Sequence, residues 1–408
     1  MDLVRARALA AQHDPERWRA EFPILADTTY LVTHSLGAMP RGVRAKLAAY
    51  ADQWASRGVR AWAEGWWDSP IQVGNVLARL MNAPPGSVVM HQNVSVIESL
   101  VASCLDFSKQ RNRVVYDDQN FPTNMYVWEA LKKHGAEIVC LPSRGRGFVP
   151  LEELLAAIDE RTLIVPISHV CFRNSYKHDA AAVCRRARDT GALVLLDTYQ
   201  SLGTVPVDVA ALGVDMICGG SVKWLCGGPG AGYLYVRPDL LERLEPGITG
   251  WAAHAAPFAF ELGAQRYARG PARLLHGSPA VPALYAATAG YEVIQAVGVE
   301  TIRAWSIVRT EALREDLLAR GFEVPSPADP ESRGGTLTVR LAPGEDGTAF
   351  VAALERRGIL VDHRPEAGIR VSPHFYTRAD ELASFAAALS ELRATGAWKA
   401  FAGAGKSY

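Results

Sequence analysis

Between residues 87 and 237 the chain repeats one cadence: a short, continuous apolar run, then a stretch with helical character. "SVVMHQ" (87–92) precedes "SVIESLVASCLDF", "RVVYDD" (113–118) precedes "NMYVWEALKKHG", and "EIVCLP" (137–142) precedes "LEELLAAIDE". "TLIVPISHV" (162–170) precedes "AAAVCRRARDTG", and "ALVLLDT" (192–198), "DMICGGS" (215–221) and "AGYLYVR" (231–237) complete the set. The runs are continuous rather than alternating, as in strands buried on both faces. Buried strands that alternate with helices predict an α/β fold, a mostly parallel seven-stranded sheet covered by helices. Only a short glycine turn precedes the seventh run, so that strand is predicted to be antiparallel.

The pattern changes near residue 280. "TLTVRL" (336–341), "ILVDHR" (359–364) and "GIRVSPHFY" (368–376) lie close together and lead into the helical "ADELASFAAALSELRA". The expected organisation is an N-terminal segment (1–50), a large domain (51–280) and a small α+β C-terminal domain (281–408). The first segment is too short to bury a core and is expected to pack on the small domain or a neighbouring subunit. The 43 basic and 43 acidic residues cancel, which gives no support for nucleic acid or an anionic membrane as partner. No apolar run reaches the roughly 20 residues that span a bilayer. The charged N-terminus lacks a signal-peptide core. The six cysteines are scattered, without CxxC spacing, and the ten histidines include no HExxH, so neither a disulfide framework nor a metal site is expected. The expectation is a cytoplasmic protein with reduced thiols.

Within "GGSVKWLCGGPG" (219–230), Lys223 stands among small and apolar residues just after a buried strand. A lysine in such a low-dielectric place has a depressed pKa and becomes a usable amine, able to condense with an aldehyde. Pyridoxal 5'-phosphate (PLP) is the aldehyde most often held in this way, and the chain offers the other parts that it needs. Asp197 ends a buried strand, where a carboxylate needs a partner such as a pyridinium. The start of the helix near residue 94, with Ser95, offers N–H groups to a phosphate. Phe121, on a loop after a strand, offers an aromatic face. Taken alone, each has a plainer reading: Lys223 as a surface or helix-cap lysine, Asp197 as a cap of the next turn, Phe121 as a core residue before a proline. Their order along the chain, each at the C-terminal end of a strand where α/β sheets bind ligands, favours the cofactor site. "GGPGAG" (227–232) does not open a helix after a strand, so a dinucleotide fingerprint is rejected.

The stretch from "LLDTYQSLG" to "GGSVKWLCGGPGAGYLYV" resembles the cofactor segment of class V aminotransferases, fold-type I PLP enzymes. "YLVTHSLGAMP", "GVRAWAEGWWD", "FPTN", "GITGWAAHAAPFAFE", "LLHGSPAVPAL" and "LVDHRPEAGIRVSPHFYTRADEL" resemble kynureninases within that family. The resemblance implies that Lys223 holds PLP, that Asp197 pairs with its ring nitrogen, that Val94 and Ser95 meet its phosphate, and that Phe121 stacks on its ring. It places Ser168 near the ring's polar edge and has Trp251 and Ser278 reach a phosphate of the neighbouring subunit of a homodimer. It assigns Arg370 to the substrate α-carboxylate, held as a bidentate pair, and brings Trp62 and His34 near the substrate.

Three positions depart from the kynureninase pattern. Asn124 replaces an aspartate, Gln200 a histidine, and Val222 a tyrosine. Asn124 and Gln200 can still hydrogen-bond a cofactor oxygen, whereas Val222 can neither donate a proton nor bind a phosphate. General acid–base help is thereby removed from kynurenine hydrolysis. The expected function is that of a PLP enzyme acting on an α-amino acid, with cleavage at Cβ, Cβ–S or Cβ–Cγ, of a modified or S-conjugated substrate. The alternative is an aminotransferase or a decarboxylating deaminase of specialised metabolism. A member of the fold that has lost catalysis is disfavoured by the intact set Lys223, Asp197 and Arg370.

Overall fold

A computed structural model describes residues 1–403. After the short N-terminal β1 (Thr29–Tyr30), the seven apolar runs form β2 (Val88–His91), β3 (Arg113–Asp117), β4 (Glu137–Leu141), β5 (Thr162–Ser168), β6 (Leu193–Asp197), β7 (Met216–Gly220) and β8 (Gly232–Val236). They make one sheet in the order β2-β8-β7-β6-β5-β3-β4. β8 is antiparallel to both neighbours, as its short glycine turn predicts, and the other pairings are parallel. β2 therefore points the same way as β3 to β7, and the C-terminal ends of these strands share one edge. One face of the sheet buries Val115, Val165, Ile167, Val194, Leu196 and Ile217; the other buries Val114, Ile164, Leu195, Met216 and Cys218. Burial on both faces is the reason the runs are continuous.

The core beneath the first face also takes Leu284, Ala287, Tyr291 and Ile294 from the helix Val281–Val297. A second core surrounds β9 (Leu337–Val339), β10 (Ile359–Leu360), β11 (Asp362–Arg364) and β12 (Gly368–Val371), with Phe350, Leu382, Phe385 and Leu389 from two helices. "ILVDHR", read as one strand, divides in two. β10 runs parallel to β1, while β11 forms a hairpin with β12, which in turn pairs with β9. The N-terminal segment thus joins the second core as a strand. Among the described residues, no helix is long and apolar enough to cross a membrane.

Candidate active site

Strand ends converge on a cavity of about 230 Å³ lined by Val94, Ser95, Phe121, Asn124, Ser168, Asp197, Gln200 and Lys223, together with Asn93, Thr123, Val170, Phe172 and Tyr199. Three larger surface depressions lie elsewhere, and none of them is lined by Lys223 or Asp197. Lys223 occupies the turn after β7, and its surroundings explain the glycines of its motif. A Cβ on Gly220 would lie 2.6 Å from the Tyr199 phenol, and one on Gly219 would meet the Tyr233 ring at similar range. A Cβ on Gly37 would lie 2.1 Å from the Lys223 carbonyl oxygen, so the "SLG" of the N-terminal segment is packed backbone to backbone on the lysine turn. Gly37 N–H donates to the carbonyl of Val222 at 2.7 Å.

The Lys223 amine sits 4.4 Å from the centroid of the Tyr199 ring and 5.6 Å from that of Phe121. Its pKa is pushed down to about 7, first by burial and then by the positive field of Arg370, with Asp197 and Asp362 opposing. Asp197 is buried at the end of β6. Its Oδ1 accepts the Tyr199 backbone N–H at 2.8 Å, and its Oδ2 accepts from Asn124 Nδ2 at 3.1 Å. Burial raises its pKa against those two bonds. Asn124 therefore orients the carboxylate, and Asn124 Oδ1 is itself buried without a hydrogen-bond partner. Ser168 is held through its backbone N–H, which donates to Asn120 Oδ1 at 2.7 Å.

The helix Val94–Ser103 opens at the cavity. Its N-cap Asn93 accepts the Val96 N–H at 3.1 Å, and the first intrahelical bond runs from Ile97 N–H to the Asn93 carbonyl. The N–H groups of Val94 and Ser95 precede that bond and are the natural donors to an anion. A depressed-pKa amine, a buried carboxylate with one orphaned amide oxygen beside it, two aromatic rings and a helix N-terminus fit an aldehyde with a protonatable ring nitrogen and a phosphate. PLP has these groups.

The remaining expected residues lie outside the cavity lining. Arg370 is buried on β12 and pairs with Asp362, its cross-strand neighbour on β11. Its Nη1 donates to the carbonyl of Phe172 at 2.8 Å, which brings the guanidinium to the cavity rim. His34 is buried one step further back, bonded to Asp362 and Ser372. Trp62 packs edge-on against Trp66, 5.6 Å between centroids, in a cluster with Tyr50 and Tyr285. Trp251 is exposed, stacked on Phe260, and its indole N–H donates to the carbonyl of Pro257. Ser278 is exposed on the loop before the helix Val281–Val297. Gln200 lines the cavity, but its amide spans two protein partners: Nε2 donates to the His34 carbonyl at 3.0 Å, and Oε1 accepts from Trp224 Nε1 at 3.1 Å.

Sequence reasoning missed Tyr199, Phe172 and Asp362. Tyr199 is two residues after Asp197, on the turn already marked as the site, and that proximity was its signal. Phe172 meets Phe121 edge-on at 5.2 Å, and nothing local announces the contact. Asp362 was signalled by "DHRPEAGIR", in which a short loop sets an aspartate opposite an arginine.

The family model described as aminotransferase class V matches residues 38–385. An uncharacterised aminotransferase of Bacillus subtilis (strain 168) is 30% identical over 376 residues, which are 91% of this chain and 96% of that protein. A kynureninase of Pseudomonas fluorescens is 30% identical over 371 residues, 88% and 87% of the two chains. Among solved structures, the apo cysteine desulfurase of Thermococcus onnurineus NA1 superposes with a TM-score of 0.83 at 20% identity, covering 93% of this chain and 98% of that one.

Proposed function

The chain belongs to the class V aminotransferase family, a PLP-dependent enzyme of fold type I, and from that premise we propose that it cleaves an α-amino acid at Cβ. The favoured substrate is a modified or S-conjugated amino acid with a good leaving group. When bound, PLP supplies an electron sink for charge developing at Cα. In this reading Lys223 carries the cofactor and then takes the α-proton, for which a pKa near 7 suits it. Asp197, oriented by Asn124, keeps a proton on the ring nitrogen. The helix start at Val94 and Ser95 holds the phosphate, Phe121 and Tyr199 hold the ring, and Arg370 binds the α-carboxylate. For an S-conjugate, the α-proton leaves, the Cβ–S bond breaks, and the sulfur departs as a thiol. The remaining three-carbon enamine takes up water and yields pyruvate and ammonia.

One observation carries the choice against kynurenine hydrolysis. The two acid–base positions at which this chain departs from kynureninases hold groups with no proton to transfer. Val222 is apolar, and the Gln200 amide is bonded at both ends to protein. A thiolate leaving group asks less of an acid than hydration of a γ-carbonyl does. The test is to incubate the holoenzyme with S-alkyl-L-cysteine and with L-kynurenine and to identify products by mass spectrometry. Pyruvate and thiol should form readily, anthranilate poorly, and Val222→Tyr combined with Gln200→His should raise anthranilate release. Robust anthranilate from the wild type overturns the reading. A second reading, transamination, is favoured by the name of the B. subtilis relative; conversion of the cofactor to its amine form with a keto-acid product would establish it. Carbon dioxide release would instead mark the decarboxylating alternative.

We also propose a homodimer with Trp251 and Ser278 serving the neighbouring site, and a cytoplasmic location. The first is supported by the exposed Trp251, Phe258, Phe260 and Leu262. The second is supported by six free cysteines, which suit a reducing compartment.

A further inference from the structure

Asp362 is a buried carboxylate, 1% exposed, with donors at all four of its acceptor positions. Oδ1 accepts from His34 Nε2 at 2.8 Å and from Arg370 Nε at 2.8 Å. Oδ2 accepts from Arg370 Nη2 at 2.5 Å and faces Arg364 Nη2 at 3.1 Å. The donors come from the N-terminal segment, from β11 and from β12. A carboxylate only accepts, so His34 carries its proton on Nε2, and the Ser372 hydroxyl, 2.7 Å from Nδ1, completes the ring's bonding. The His34 carbonyl in turn accepts from Gln200, in the cavity wall.

This arrangement fixes which edge of Arg370 can meet a ligand. The Nε–Nη2 edge is taken by Asp362, and Nη1 also reaches the Phe172 carbonyl at the cavity rim. The end-on edge, Nη1 with Nη2, is the other geometry in which a guanidinium holds a carboxylate by two bonds. We propose that Asp362, held by His34, is the positioning residue that turns this end-on edge of Arg370 toward the substrate α-carboxylate. The proposal rests on the reading of Arg370 as the carboxylate site. It makes His34 a residue that acts through Asp362 without touching substrate.

The test is spectroscopic. Holoenzyme is titrated with L-alanine and with ethylamine, which differ by the carboxylate, and the ratio of the two affinities is followed through the visible absorption of the cofactor. Arg370→Lys, Asp362→Asn and His34→Phe should each lower the alanine preference at least ~10-fold, as small misplacements of a clamp do. Ethylamine affinity should stay within about twofold, and His34→Gln, which keeps a donor at similar reach, should restore the preference. A loss confined to Arg370→Lys overturns the role of Asp362 and leaves the carboxylate reading intact. No loss in Arg370→Lys overturns the carboxylate reading itself, and the proposal with it. If Asp362→Asn fails to fold or to hold PLP, the His34→Phe and His34→Gln pair decides alone: preference lost and restored supports the role, preference unchanged overturns it.

Discussion

A lysine that titrates near pH 7 leaves a trace in the stability of the apo-protein. Its folded pKa of about 7 lies below the ordinary value of 10.5 because burial disfavours the cation. The unfolded chain therefore binds more protons than the folded one between about pH 7 and pH 10.5, and stability rises with pH across that window. Below pH 7 the cost of burying the charged amine is fully present. Lys223→Met should accordingly raise the melting temperature of the apo-protein by a few degrees at pH 6 to 7, and the gain should shrink as pH approaches 10. A gain independent of pH, measured by thermal unfolding across that range, would mean that packing and not charge sets the lysine's cost. The rate at which the apo-protein captures PLP covalently should rise through pH 7 for the same reason. The motif around Lys223 is readable because its glycines bracket the lysine just after a buried strand; Tyr233 and Tyr199 leave no room for a Cβ at Gly219 and Gly220, and Gly228 and Gly230 take positive φ. The depressed pKa was readable only as a tendency, since Arg370, its second cause, arrives from 147 positions away in the chain.

At the scale of elements, the helix Val94–Ser103 joins stability to cofactor affinity through one residue. Asn93 caps it by accepting the Val96 N–H. Asn93→Ala removes that bond and should cost ~1 kcal/mol of stability. It also frees the first turn to fray, so affinity for PLP should fall several-fold while affinity for unphosphorylated pyridoxal holds. Equilibrium dialysis with both vitamers checks this, and an equal loss for both would detach the helix start from the phosphate. The seven strands of the large sheet were legible because burial on both faces writes a continuous apolar run. "ILVDHR" was legible as extended but not as two strands. Its first half pairs with β1, and its second with β12, so the division is set by partners that lie elsewhere in the chain.

At the scale of the molecule, the exposed cluster of Trp251, Phe258, Phe260 and Leu262 is out of place on a free surface, since Leu262 is fully exposed and Phe260 is 70% exposed. With the proposed second copy covering it, Phe260→Asp combined with Leu262→Asp should shift the protein toward monomer in analytical ultracentrifugation. Turnover should fall with it, because Trp251 and Ser278 would no longer reach the neighbouring site. A variant that is monomeric and fully active would show that one chain holds the whole site.

The alternation of strands and helices in the seven-stranded sheet, the antiparallel β8 and the residues at the strand ends around Lys223 and Asp197 follow from the sequence alone. Each depends on local periodicity, on glycine geometry or on the rule that ligands gather at one edge of an α/β sheet. The tertiary structure decided what no local rule reaches. It tied the Gln200 amide to His34 and Trp224, and it brought His34 from the N-terminal segment onto Asp362. These contacts join segments up to 328 residues apart. A hydrogen bond at that separation is set by how the two cores and an N-terminal strand pack together, and packing is a property of the whole chain that no window of sequence contains.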